Sequence, residues 1–97
     1  MRVALTDRVA VHPSVICREL AGEAVLLSLE SGVYYGLDGV GTRVWQLLVE
    51  DKSIADACAA MIDEYETTLD VLHEDVLTLV DTLCEKGLVM PRQGAHA

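Results

Sequence analysis

The run from Glu23 to Leu37 (Glu-Ala-Val-Leu-Leu-Ser-Leu-Glu-Ser-Gly-Val-Tyr-Tyr-Gly-Leu) limits what this chain can become more than any other stretch. Apolar residues lie on both sides of Ser31-Gly32, and a glycine there accepts the positive φ that a tight hairpin demands. A two-residue turn at that point predicts Leu29 opposite Tyr34 and Leu27 opposite Gly36, with Val33, Tyr35 and Leu37 on the other face. Both faces then carry large side chains. An antiparallel hairpin with one wet side alternates apolar with polar residues, so both sides here call for cover. One face needs a domain core. The other face, or the free edge of the Tyr34-Tyr35 strand, is left for a partner.

The neighbouring segments supply that core. Ser14–Leu20 reads as a first strand, and Ala21-Gly22 as a second tight turn, giving a three-stranded meander with Val33–Leu37 at its edge. Asp38 can cap a helix in which Val40, Val44, Leu47 and Leu48 fall at helical spacing and Trp45 widens the face. Ser53 and Asp56 form a capping-box-like start for a second helix, with Ile54, Ala57, Cys58, Met61, Ile62 and Tyr65 inward. Asp63, Glu64 and Glu66 crowd its C-terminal end, the wrong pole for carboxylates, so that end is expected to be soft. Thr67 or Thr68 opens a third helix over about Leu69–Lys86 that stops at Gly87. Its apolar residues cover an arc of roughly 160° at about 100° per residue, where one core needs roughly 100°. Leu77, Val80 and Cys84 fit one neighbour. Leu72, Val76, Leu79 and Leu83 fit another, either the sheet or a ligand. Leu88-Val-Met90 can close the domain as a short strand.

The expectation is an α+β fold: a three-stranded antiparallel sheet packed on a three-helix winged-helix-like bundle. Residues 1–13 read as an irregular N-terminal segment, 14–90 as the domain, and 91–97 as a loose tail. At 97 residues there is room for one core.

Charge narrows the function. The net charge is −9, with −2 on residues 1–50 and −7 on residues 51–97. Such a field repels nucleic-acid phosphates and anionic lipid and favours a basic or neutral partner. A winged-helix regulatory module is the competing interpretation, but the third helix sets Asp70, Glu74, Asp75, Asp81 and Glu85 against Lys86 alone, where base and phosphate contacts need cations. No stretch is long and apolar enough for a membrane span or signal peptide. Cys17, Cys58 and Cys84 are dispersed and odd in number, which fits reduced thiols and a cytoplasmic location.

Catalytic constellations are missing. His12, His73 and His96 fall in a pre-proline turn, a helix and a tail. His73 and Cys84 share a helix face but stand about 16 Å apart along its axis. Asp63-Glu64 and Glu74-Asp75 are adjacent pairs whose members diverge. The glycines at 36, 39 and 41 lack the basic residues of a phosphate loop, Arg43 apart. What remains is an open strand edge rich in Tyr beside a helix with apolar side chains to spare. That is the geometry of strand addition by an extended peptide, set against an edge simply covered by another element.

These residues resemble a known family. Gly22–Asp38, then Gly41-Thr-Arg-Val-Trp-Gln-Leu-Leu48 and Glu74-Asp-Val-Leu-Thr-Leu-Val-Asp-Thr-Leu-Cys-Glu-Lys-Gly-Leu-Val89, are similar to the PqqD-like proteins. These are the precursor-peptide recognition elements of ribosomal peptide biosynthesis, and the likeness is closest to the stand-alone members of lasso-peptide pathways. It covers about residues 14–90. Asp38 stands where the family commonly has Asn. The resemblance implies a non-catalytic adaptor without cofactor or metal. It would bind a leader peptide as a fourth antiparallel strand and present it to a leader peptidase or other modifying enzyme. The implied contacts are Val33, Tyr34, Tyr35 and Gly36 on the strand, with Leu72, Asp75, Val76, Leu79 and Leu83 on the helix. The same open edge can pair with a second copy to form a homodimer when no peptide is present.

Overall fold

Ala21 and Gly22 both adopt positive φ, 54° and 82°, as the two central residues of a type I′ turn do. This turn joins β2 (Val15–Leu20) to β3 (Glu23–Ser28) with Leu20 opposite Glu23. The computed structural model describes residues 3–92. In it β3 pairs antiparallel with β4 (Tyr34–Gly36), Val25 facing Gly36, Leu26 facing Tyr35 and Leu27 facing Tyr34.

The β3–β4 connection differs from the two-residue turn expected at Ser31-Gly32. The loop runs from Leu29 to Gly32: Ser28 N–H donates to Val33 O at 2.8 Å and Gly32 N–H to Ser28 O at 2.9 Å. Ser28 Oγ also accepts from Ser31 N–H at 3.2 Å. Such local side-chain bonds compete with the ladder, and Gly32 takes its positive φ (76°) at the end of the longer loop. Pairing is displaced by two residues. Because side chains alternate with period two, that shift leaves every one on its expected face. Ala24, Leu26, Ser28 and Leu37 are buried, whereas Val25 and Tyr34 are exposed.

Helix α1 (Gly39–Val49) starts at Asp38, whose Oδ1 accepts from Gly41 N–H at 2.7 Å. Helix α2 (Ile54–Met61) starts at Ser53, whose Oγ accepts from Asp56 N–H at 3.1 Å. It stops at Met61, so Tyr65, expected on its apolar face, lies beyond the helix. The carboxylates past Met61 do not stabilise a helix C-terminus. One of them, Glu64, is taken by Arg43 of α1, with Nε to Oε1 and Nη2 to Oε2 both at 3.0 Å. The pair holds the Glu64 carboxyl below its ordinary pKa.

Helix α3 (Leu69–Glu85) is capped by Thr68 and ends at Gly87, φ 73°. Leu88 N–H returns to Leu83 O and Gly87 N–H to Cys84 O, each at 3.0 Å, which is the Schellman pattern. The chain then enters β5 (Val89–Arg92), which pairs antiparallel with β1 (Arg8–Val11) in a second, two-stranded sheet. This corrects the irregular lead-in over 1–13 and the loose tail from 91, since Arg8–Val11 and Pro91–Arg92 are strand. A short strand whose partner lies at the far end of the chain leaves no local pattern to read. The expected tail residues 93–97, His96 among them, lie outside the described residues. Asp51, at φ 68°, ties this ribbon to the α1–α2 loop through its carboxylate to Arg92 and its carbonyl to Arg8 Nε at 2.9 Å.

The core joins both sheets to the helices. Leu26, Leu48, Ile54, Met61, Leu83 and Leu88 are fully enclosed, and Trp45 is 5% exposed.

Candidate functional site

Among the described residues β4 has β3 on one side only; the three-stranded sheet runs β2-β3-β4. The ladder decides which backbone groups face the open side. Val33 O accepts from Ser28 N–H, and Leu37 N–H donates to Ala24 O at 2.7 Å. Bonded pairs alternate along an antiparallel ladder, so Val33, Tyr35 and Leu37 turn their polar groups toward β3. Tyr34 and Gly36 turn theirs outward. The open edge therefore offers two N–H donors and two C=O acceptors.

Beside that edge lies a groove of about 400 Å³. Tyr35, Gly36, Leu37 and Asp38, with Val40, Gly41 and Val44 of α1, form one wall. Leu72, Asp75, Val76 and Leu79 of α3 form the other. The groove exists because β4 leaves the ladder at Leu37. Ala24 N–H, which could return the Leu37 bond, donates instead to Thr42 Oγ1 at 2.9 Å. That bond draws α1 against β3 and lets the chain turn sharply into the helix at Asp38. At the opposite end, Lys86 Nζ stands 5.6 Å from the centre of the Tyr35 ring, within cation–π reach.

Of the residues expected to contact a peptide, Tyr35, Gly36, Leu72, Asp75, Val76 and Leu79 line this groove. Val33, Tyr34 and Leu83 do not. Leu83 is 1% exposed and belongs to the core, whereas Tyr34 is 73% exposed and projects from the outer face of the sheet. Its backbone still reaches the open edge. Leu37, Asp38, Val40, Gly41 and Val44 were not expected. The spacing of Val40 and Val44 marked an inward helix face, and Asp38 marked a cap. Neither signal tells core from groove.

The outer face of the sheet is apolar as well. Ile16, Leu27 and Tyr34 stand in register across the three strands, flanked by Val25 and Leu29. Ile16 is 40%, Val25 45% and Leu29 65% exposed.

Other chemistry is sparse. Burial pushes the Cys58 thiol up to about 11. Partial desolvation, aided by Glu19, raises the exposed Cys17 against an opposing hydrogen bond from Trp45, and burial with Asp81 raises Cys84. Such thiols are poor nucleophiles at neutral pH. His12 is held locally, its Nδ1 lying 2.8 Å from Ser14 Oγ. Among the described residues, no group of three or more His, Cys, Asp or Glu is placed to hold a metal, and no helix is long and apolar enough to cross a membrane.

A family model for coenzyme PQQ synthesis protein D (PqqD) matches residues 23–89, from the first residue of β3 to the start of β5. The chain belongs to the PqqD family. Two solved structures share the fold of this PqqD-family protein. TbiB1, in complex with the TbiA(beta) leader peptide, is 31% identical, with a TM-score of 0.78 over 90% of this chain and 98% of that one. A lasso peptide synthetase B1, complexed with the leader peptide, is 27% identical, with a TM-score of 0.81 over 87% and 99%. No curated protein sequence matches the chain significantly.

Proposed function

We propose that this PqqD-family protein recognises the leader segment of a ribosomally made precursor peptide, taking it as a fourth antiparallel strand along β4. One observation carries the proposal: the edge of β4, unpaired among the described residues, runs beside a groove of about 400 Å³ walled by Leu72, Val76 and Leu79. Relatives with this fold were solved with leader peptides bound.

The register follows from the ladder. Peptide residues opposite Tyr34 and Gly36 exchange backbone hydrogen bonds with them. Those opposite Tyr35 and Leu37 point their side chains into the groove, between Leu72, Val76 and Leu79, because cross-strand neighbours share a face. Main-chain bonds supply sequence-independent affinity, and the two inward side chains supply selectivity. The helices, in the winged-helix-like arrangement expected from the sequence, serve as the far wall.

In this reading the protein is an adaptor without chemistry of its own, and it delivers the bound leader to a leader peptidase or another modifying enzyme. Outward side chains of the bound peptide would extend the apolar strip of Ile16, Leu27 and Tyr34, an exposed apolar surface of the kind that receives a protein partner.

Fluorescence anisotropy of labelled leader peptides from precursors encoded beside this protein tests the proposal. Saturable binding that Leu79→Asp abolishes in a folded variant is the expected result. Unchanged affinity in Leu79→Asp removes α3 from the site, and no binding by any leader rejects the function.

A further inference from the structure

The groove carries two carboxylates in its lining, and a cation stands beside the Tyr35 ring that closes its other end. Asp75 and Asp38 sit at the end formed by the N-terminal half of α3 and the start of α1. Asp38 spends one oxygen on Gly41 N–H. Asp75 makes no ion pair or hydrogen bond with any described residue and is exposed at the rim. At the other end Lys86, the C-cap of α3, lies over the Tyr35 ring with no carboxylate paired to it among the described residues. Arg43, the nearest cation of α1, is held by Glu64.

The two ends are far enough apart to be read separately. Asp75 and Lys86 are separated by eleven positions of one helix, about 16 Å along the axis at 1.5 Å per residue. A strand covers that distance in about five residues. Direction follows from β4 and the residues after it, which run from Tyr35, beside Lys86, toward Asp38. A strand antiparallel to it enters at the Asp38–Asp75 end and leaves at the Lys86 end.

We propose that the groove selects peptides by charge polarity: a cationic side chain before the two inward apolar residues, and an anionic one about six positions after it, the even spacing that keeps both charges on the inward face. The proposal rests on the leader-binding reading of the groove and adds what that reading lacks, a reason for the strand to bind in one direction. Backbone bonds to Tyr34 and Gly36 and an apolar floor accept either direction. Opposite charges at the two ends do not. A parallel strand of the favoured sequence would bring like charges together at both ends, which suppresses wrong registers. The overall charge of −9 attracts the cationic end first and orients the encounter.

Three labelled strand peptides test this. All carry leucine at two alternate positions. The first has lysine two places before the first leucine and glutamate two places after the second, so that all four side chains share one face; the second exchanges lysine and glutamate; the third has glutamine at both. Anisotropy titrations at low salt should rank them first, third, second, with about tenfold between the extremes, given the few-fold worth of each exposed ion pair. The Asp75→Lys, Lys86→Glu double variant should invert the ranking. Both side chains are exposed, and circular dichroism confirms the fold. At about 1 M salt, where the screening length is about 3 Å, the three affinities should converge. Equal affinity of the three at low salt overturns charge selection and leaves strand addition standing. Binding by none of them, with the protein folded, overturns strand addition into this groove and the charge assignment with it.

Discussion

The amide of Ala24 donates to the hydroxyl of Thr42 at 2.9 Å, and both residues are buried. This bond joins β3 to α1 and fixes the wall of the groove that Val40, Gly41 and Val44 form. Thr42→Val keeps the shape and removes the acceptor, leaving a buried N–H unsatisfied, which costs about 1–3 kcal/mol. Urea unfolding should show that loss, with Thr42→Ser closer to the native protein. Equal stability of the Val variant would mean that Ala24 N–H finds another acceptor.

Trp45 is the one tryptophan and is 5% exposed within the core. Trp45→Ala should cost about 3–5 kcal/mol by loss of buried area and cavity formation, read as a lower urea midpoint. Leader affinity per folded molecule should change little, because Trp45 does not line the groove.

Much of this architecture is legible in the sequence because its signals are local. Ser53, Asp38 and Gly87 each terminate a helix through a bond within a few residues, and such bonds leave a pattern that can be read. The wide apolar arc of α3 is local as well, and three of its residues, Leu72, Val76 and Leu79, line the groove. What stayed hidden depends on distance. The β1–β5 ribbon pairs Val11 with Val89, and nothing near Val11 announces its partner. Helical spacing alone cannot rank residues on one apolar face, so the sequence sets Leu83 beside Leu79, whereas packing buries it in the core. The hairpin register slipped by two for a different reason, since Ser28 and Gly32 offered a longer loop than Ser31-Gly32 implied.

The thiols should separate by burial. Cys17 is exposed and Cys58 is fully buried, so a thiol reagent near pH 8 should label Cys17 first and Cys58 only as fast as the protein unfolds. The Cys58 thiol is pushed from 9.0 up to about 11 because burial disfavours the thiolate. The folded state therefore holds its proton more tightly than the unfolded state. The stabilisation this gives is complete below about pH 9 and is lost as pH rises toward about 11. Cys58→Ala should show a shallower decline of Tm across that window; an unchanged slope would place the alkaline loss in other groups.

Tyr34 and Tyr35 differ in where their amides point, and proline can separate the two. Tyr35 pairs with Leu26 and turns its N–H toward β3; Tyr34 pairs with Leu27 at the alternate, non-bonded position and turns its N–H to the open edge. Proline removes the donor and is tolerated in a strand only where the N–H faces solvent. Tyr35→Pro should break the β3–β4 ladder and lower stability by about 1–3 kcal/mol or more. Tyr34→Pro should leave the hairpin paired and delete one hydrogen bond to an added strand. A Tyr34→Phe control separates the amide from the phenol, which is exposed on the outer face. If leader binds by strand addition, Tyr34→Pro weakens anisotropy-measured affinity by about tenfold, in line with the net worth of one hydrogen bond, while Tyr34→Phe binds normally. Native affinity in a folded Tyr34→Pro variant would show that the peptide does not use this edge.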